Sequence, residues 1–449
     1  MAVRSMGEHT VTDVVGIGFG PANLALAVAL REQAAGAGQG GAGEGGAVRA
    51  RFVEKQPQFG WHRGMLIEGA TMQVSFLKDL ATVRNPTSSF GYLSYLQAKG
   101  RLLDFINNKN FFPLRVEYHD YLDWAAAQFT DEVDYGSEVE EIRPVTDERG
   151  VTELLDVVVR RGGELITLRT RNVVVATGLS PVLPPGAVNA ERTWHSSELL
   201  RRTEQLDAMD PKRLVVVGAG QSAAEVVAHL HDRYPRAEVH AVLTRYGYSV
   251  ADDSAFANRI FDPAAVDHYF EASEEVKRKL LGYHANTNYS VVDLDLIQDL
   301  YQRSYLEDVT GRRRLHIRNI SRLLDVATTD DGVSARIEYL PTGEIATLDA
   351  DAVVYATGYR PSDPVDLLGD LAASCKRDDR GLLQVGRDYR VVTEESLRAG
   401  IYLQGPTEHS HGISSGLLSN IGVRAGEIAD TIALGLSGTR TAAATGHAR

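Results

Sequence analysis

The stretch VVGIGFGPANLALAVAL, Val14–Leu30, preceded by Asp13, constrains the chain most. Val14 and Val15 end a short apolar run that reads as a buried strand. Gly16, Gly18 and Gly20 follow at every second position, and then an apolar helical pattern begins at Leu24, Leu26, Ala27 and Leu30. Strand, glycine turn and helix in that order make the first βα unit of a dinucleotide fold. Gly16 is expected to allow a sharp turn and Gly18 a close approach to a pyrophosphate. The unpaired N–H groups at the helix start favour an anion. Pro21 stands where a third glycine is usual, and it fits the first helical turn, where a missing N–H costs nothing.

A GxGxxG-like turn alone is weak evidence, so the rest of the chain must carry the case. Its 449 residues suit two or three domains. A formal net charge of −13 argues against a nucleic-acid partner, since backbone phosphates call for a basic face. No apolar run reaches the length of a membrane span. The start, MAVRSMGEHTVTD, has no apolar signal core, so a cytoplasmic location is the expectation. Cys375 is the sole cysteine, which excludes a disulfide frame, a CxxC redox pair and a thiolate metal site.

Downstream, Ala34–Gly46 reads by composition as a flexible solvent linker. Val48–Glu54 reads as the second strand. Glu54 at its end is the acid expected on a ribose hydroxyl, about 40 residues after the first glycine rather than the usual ~20 because of the insertion. Its alternative is a surface carboxylate. Phe59–Asn110 is rich in aromatic and fixed polar residues and has no clean period, which is where binding sites concentrate. Ser94–Gly100 and Tyr118–Phe129 read as helices, Leu154–Arg160 with Leu165–Arg169 as a hairpin, and Asn172–Ala176 as a buried strand.

A second βα unit starts at Leu214–Gly220, with turn glycines Gly218 and Gly220 and a helix opened by Gln221 and Ser222. Two such units about 200 residues apart imply two dinucleotides. Glu54 in the first unit would repel a 2′-phosphate, whereas Arg245, ending the second strand of the second unit, suits one and points to NADP; its alternative is an ordinary surface arginine. ATG after a buried strand occurs twice, at Ala176–Gly178 and Ala356–Gly358. Small residues there let the chain pass close to a cofactor or leave one domain for another, which suggests FAD in a domain interrupted by the NADPH domain. Arg322–Leu348 reads as antiparallel strands and Leu417–Leu434 as a last helix, with a frayed tail from Gly438. His62 and His195 are candidate cofactor contacts or merely hydrogen-bonded. Asp252 and Asp253 suit a loop or cap better than a cation. His409 and His411 lack further ligands at metal spacing, so no metal is expected.

GIGFGPANLALA, QFGWHRGM, MQVSFLKDLATVRNPTSSF, FFPLRVEYHDYLDWAA, GAGQSAAE, DDSAFANRIFDP, NTNYSVVD, ATGY and HGISSGLLS together resemble the flavin-dependent amino-acid N-hydroxylases. These are the ornithine and lysine monooxygenases of hydroxamate siderophore and nonribosomal peptide synthesis. The resemblance runs from about Val14 to about Ile432, and FLKD, FANRIF and NTNYSVVD are most like the L-ornithine N5-hydroxylases.

The resemblance implies an α/β fold of two Rossmann-like domains, for FAD and NADPH, with a smaller, mostly helical substrate region. The expected division is 1–207 for the first part of the FAD domain, with a substrate segment at 59–110. The NADPH domain follows over 208–330, with a substrate-contacting insertion at 250–293. The FAD domain resumes over 331–436 and ends in a substrate-site helix, and 437–449 is a disordered tail. By resemblance Lys78 and Asn258 hold the amino-acid carboxylate, which suits a point cation and an amide that both donates and accepts. Asn288 lies between substrate and nicotinamide, with Ser290 beside it on the cofactor. Leu418 and Ser419 flank flavin and substrate side chain. Gln73, Trp61 and His62 contact the flavin side, Gln221, Ser222 and Arg245 contact NADPH, and Thr357 and Gly358 lie at the second ATG. Asn288 and Ser419 are the candidates closest to the reaction. Ser415 stands where the family has an acidic residue.

The implied reaction is NADPH- and O2-dependent N-hydroxylation of L-ornithine through a C4a-hydroperoxyflavin, in a homotetramer. Lysine N6-hydroxylation is the near alternative, and an NADPH oxidase or electron-transfer flavoprotein the distant one.

Overall fold

The structure, a computed structural model, describes residues 11–39 and 47–446. The N-terminal segment 1–10 and the glycine-rich 40–46 lie outside the described residues. Two five-stranded parallel sheets organise the chain. The first has the order Gly400–Leu403, Asn172–Val175, Val14–Ile17, Ala50–Val53, Val133–Asp134. The second has the order Leu315–Arg318, Glu238–Val242, Arg213–Val217, Ala352–Tyr355, Thr193–His195. The central strands are apolar on both faces, as parallel strands covered on both sides must be. Val14 and Val15 are fully buried in opposite cores, as are Val215 and Val216.

The two halves repeat one plan. In each, a three-stranded antiparallel sheet is inserted just before the strand that carries ATG: 137–170 before Asn172–Val175, and 321–350 before Ala352–Tyr355. The expected hairpins lie within these inserts, and the strand Ser137–Thr146 joins the first of them. Each ATG then turns through a left-handed glycine, Gly178 (φ 76°) or Gly358 (φ 84°). The short strands that follow, Leu179–Pro181 and Tyr359–Pro361, pair antiparallel. This ribbon is where the chain leaves the first domain and returns to it.

Three expectations change. The strand Ala352–Tyr355 pairs with Arg213–Val217, and Thr193–His195 pairs with it in turn. The second domain therefore runs from about Thr193 to Tyr355 rather than 208–330, because partner strands close a parallel sheet whatever their place in the chain. The expected linker is helix as far as Gln39, since Pro21–Gln39 is continuous. Alanine, the strongest helix former, alternates there with glycine and lets the helix begun at Pro21 continue. The last helix, Ile421–Gly446, begins later than expected and runs through most of the expected frayed tail. Its buried face (Ala425, Ile428, Ala429, Ile432) packs into the same core as Leu24 and Leu26 of Pro21–Gln39.

Gly16 also differs in role. It lies inside the strand Val14–Ile17, not in the turn. A Cβ there would stand 2.3 Å from Phe52 Cδ1 and 2.9 Å from Asn23 Nδ2, so Gly16 makes room for the neighbouring strand's ring. We expect Gly16→Ala to lower unfolding free energy by about 1–3 kcal/mol through overpacking. Gly36→Ala, on an exposed helical position with nothing within 4 Å of the new methyl, should raise it by roughly 0.5–1 kcal/mol. Urea unfolding of both variants checks the contrast.

Candidate active site

The first glycine turn is set by a close approach. Gly18 has φ 82°, and a Cβ there would lie 2.5 Å from the carbonyl oxygen of Ala176, the first residue of the first ATG. Asn23, fully buried, locks the turn from inside the helix: its Nδ2 donates to Gly18 O at 2.7 Å and its Oδ1 accepts from Gln404 Nε2 at 3.2 Å. Gly20 is different, since a Cβ there would meet nothing within 4 Å. It opens onto a cavity at the start of the helix, where Pro21 takes the first position. Glu54 is buried, not a surface carboxylate. Its two oxygens accept from Phe19 N and Gln56 N, each at 2.8 Å, and its edge reaches the cavity.

The second turn repeats the first. Gly218 has φ 144°, and a Cβ would lie 2.2 Å from Ala356 O, the first residue of the second ATG. Gly220 packs under the loop Asn286–Asp293, its Cβ position 3.3 Å from Ser290 Cα. Arg245 donates to Ser290 O at 3.0 Å, so Gly220, Ser290 and Arg245 converge.

One cavity of about 2850 Å3 joins the two turns. A single small-molecule site occupies roughly 300–1,000 Å3, so this volume suits two dinucleotides and a small substrate. Every expected site residue reaches its wall except Gly16 and the candidate His195. Trp61 and His62 stand edge to face, ring centroids 4.7 Å apart. Surrounding protein, and secondarily the Arg115 charge, pull His62 down to about 4, so the ring is neutral near pH 7. Thr357, Gly358, Ser222, Leu418 and Ser419 face the same space. Ser415 is buried with its hydroxyl unpartnered, and its carbonyl accepts from Arg424 at 2.6 Å. Unpaired buried polar atoms and an open cradle at Gly20 are what a bound flavin nucleotide would complete, so the residues fit FAD at the first turn and NADPH at the second.

His195 is not at this cavity. Its Nδ1 accepts from Ser197 N at 3.1 Å and its Nε2 lies 3.0 Å from Gly358 O, which makes it a cap and a tie to the turn at the second ATG. His409 Nε2 and His411 Nε2 face the carbonyls of Leu383 and Arg387. Asp252 accepts from Ser254 N in a local turn.

Lys78 reaches the cavity because Asp79 fixes its turn. That buried carboxylate accepts from the backbone N–H of Ala81, Thr82 and Tyr92 and from the Thr82 hydroxyl, at 2.6–2.9 Å. The Lys78 ammonium lies 5.7 Å from the centre of the Phe261 ring. Phe261 and Asn258 are three residues apart in the 3-10 helix Ala257–Phe261, where positions i and i+3 eclipse. Lys78 and Asn258 both line the cavity, and the Asn258 Nδ2 donates to Asp253 O at 2.6 Å. Burial lowers the Lys78 pKa, with Asp262 opposing.

Sequence reasoning missed the polar ties beneath these groups. Arg115 makes a bidentate, nearly buried ion pair with Glu225 at 2.7 and 2.8 Å. Gln221 bonds Glu225 and Asp293, and Asp293 bonds Gln73. Burial, with Glu225 adding, raises the Asp293 pKa against its amide bonds. A charged or amide residue inside a recognised motif was the available signal, but its partner lies up to 220 positions away.

Residues 10–361 match the family model described as L-lysine 6-monooxygenase/L-ornithine 5-monooxygenase. The chain is 37% identical over 435 residues, covering 96% of it and 95% of the relative, to an L-ornithine N(5)-monooxygenase of Pseudomonas aeruginosa. It superposes with TM-score 0.89 at 48% identity on an ornithine N-hydroxylase of Kutzneria sp. 744, covering 94% of this chain and 99% of that one; that structure holds reduced FAD, NADP+ and L-ornithine. An L-lysine 6-monooxygenase of Pseudomonas syringae aligns at 34% identity, TM-score 0.81, with 94% and 99% covered.

Two tests follow from the turns. Gly20→Val should purify without FAD and melt at the midpoint of FAD-stripped wild type, whereas Gly18→Val should lose FAD and melt below it; flavin absorbance and thermal melts check this. Arg245→Ala should lower the NADPH-over-NADH ratio of kcat/KM about tenfold or more, the scale of charge-assisted bonds to a phosphate. Steady-state kinetics with both nucleotides measures the ratio. With these turns, this cavity and these relatives, the chain belongs to the L-lysine 6-monooxygenase/L-ornithine 5-monooxygenase family.

Proposed function

We propose that this chain is an FAD-dependent NADPH:L-ornithine N5-monooxygenase, forming N5-hydroxy-L-ornithine for siderophore or peptide natural-product synthesis. The carrying observation is that one cavity joins both glycine turns to Lys78 and Asn258. When bound, FAD reduced by NADPH supplies oxygen activation. One atom of O2 goes to the amine nitrogen and the other to water, with a hydride from NADPH and one proton from solvent.

The chain's own residues bind, orient and exclude water. Lys78 and Asn258 hold the substrate carboxylate and so fix which end of the amino acid faces inward. Asn288, on the loop tied down by Arg245 and Gly220, lies between substrate and nicotinamide. Leu418 and Ser419, just ahead of the helix Ile421–Gly446, face the side chain and the flavin. Gln73, Trp61 and neutral His62 line the flavin side. Closing the cavity with bound nucleotide keeps water from the reacting centre. Homotetrameric assembly, which stands on family resemblance, and the cytoplasmic location expected from the sequence belong to the same proposal; among the described residues no helix is long and apolar enough to cross a membrane.

Lysine is longer by one methylene, which pockets discriminate by about 1–3 kcal/mol. Product analysis with ornithine, lysine and a diamine lacking the carboxylate should give hydroxylated ornithine first and leave the diamine nearly untouched. Peroxide alone with every amine would contradict the proposal. Lys78→Ala should raise the ornithine KM by roughly 10–100-fold, the loss of a charged hydrogen bond, with flavin reduction by NADPH near normal. An unchanged KM removes Lys78 from the carboxylate site.

A further inference from the structure

Two segments distant in the chain bond one carboxylate, and a third reaches the same network through Arg115 and Glu225. Gln73, from the first domain's substrate segment, donates its Nε2 to Asp293 Oδ1 at 3.1 Å. Gln221, the first residue of the helix at the second glycine turn, donates its Nε2 to Asp293 Oδ2 at 2.9 Å and to Glu225 Oε1 at 3.0 Å. The Asp293 backbone N–H returns a bond to Gln221 Oε1 at 2.9 Å. Glu225 is gripped by Arg115, whose guanidinium also donates to the carbonyls of Met65 and Thr71 in the first domain. Asp293 ends the loop that carries Asn288 and Ser290.

We infer that Asp293 is a positioning residue: its carboxylate sets the orientation of the Gln73 and Gln221 amides and ties the Asn288–Ser290 loop to both dinucleotide domains. An ionised carboxylate only accepts, while an amide presents an acceptor and a donor that are alike in shape. Two amides converging on one carboxylate must therefore both turn their NH2 groups inward. Gln73 Oε1 is then left as the acceptor toward the cavity, and Gln221 Oε1 is left for the Asp293 N–H. No other described residue bonds both amides. The charge specifies the arrangement: a neutral amide at 293 offers one acceptor and one donor, and one of the two glutamines must flip or lose its partner. Flipping Gln73 would turn a donor toward the cavity. Losing Gln221 would release the end of the loop beneath which Gly220 packs. The inference rests on the proposed function for the meaning of the cavity, while its binding readout does not need it.

The test is Asp293→Asn in the FAD-loaded enzyme, with three readouts: NADP+ Kd from flavin absorbance, hydroxylated ornithine formed per NADPH consumed, and the melting midpoint. We expect the Kd to rise on the order of tenfold, as for loss of one charged hydrogen bond. The product ratio should fall, with peroxide making up the difference, and FAD content and melting midpoint should stay near native. In a Gln73→Leu background the same substitution should lower the product ratio much less, because the amide it orients is gone. A native Kd with a native product ratio overturns the inference, as does an undiminished effect in the Gln73→Leu background. Should Asp293→Asn fail to accumulate, Gln221→Met removes the same loop tie with the carboxylate intact, and is expected to raise the Kd similarly; a native Kd there also overturns it. A wild-type enzyme that hydroxylates no amine defeats the proposed function instead, and the Kd comparison still judges Asp293.

Discussion

One contact, made twice, governs this molecule: a glycine lies so close beneath a backbone carbonyl that no side chain fits. Gly18 passes under Ala176 O and Gly218 under Ala356 O, with left-handed φ in both cases. Each carbonyl belongs to the first residue of an ATG. The contact holds the glycine turn against the crossing strand, and that brings the start of the following helix, with its unpaired N–H groups, to the cavity wall. Because both ATG segments then turn into one antiparallel ribbon, the two helix starts are set in relation to each other across one cavity. The motif pair is therefore a single spatial device, in which each half needs the other.

Around that device the chain supplies what two bound nucleotides do not. Lys78 is presented by a turn that the buried Asp79 carboxylate holds through four hydrogen bonds. Phe261 approaches it from the second domain's helical insertion, which also carries Asn258. Arg115 and Glu225 clamp the two sides at nearly buried positions. Removing one partner of such a pair costs about 3–5 kcal/mol, since it leaves a lone buried charge. The site is thus assembled from both domains, and the polar ties between them set its dimensions.

What the sequence disclosed was local. Val14–Ile17 and Arg213–Val217 announce themselves by apolar runs ended by glycine, and Pro21 by its fit to a first helical turn. The cavity-facing residues Lys78, Asn258, Asn288, Gln73 and Arg245 sit in motifs specific enough to be named beforehand, and all reach one cavity. What it concealed depended on distant partners. Gly16 looks like a turn glycine until Phe52 of the next strand occupies the space a Cβ would need. The second domain's limits follow from Thr193–His195 pairing with Ala352–Tyr355, some 160 residues on. Asn23 and Asp293 carry no local signal of their roles because their partners, Gln404 and Gln73, are remote in sequence. Ala34–Gln39 reads as linker because composition cannot register the helix it continues.

The most direct test of the account is a crystal structure of the FAD-loaded enzyme with NADP+ and L-ornithine. The account predicts the FAD pyrophosphate at Gly18–Pro21, the NADP+ phosphates at Gly218–Gln221 with the 2′-phosphate on Arg245, and the ornithine carboxylate on Lys78 and Asn258 with its N5 turned toward the flavin. One dinucleotide bound across both turns, or ornithine seated with its carboxylate away from Lys78, would contradict it.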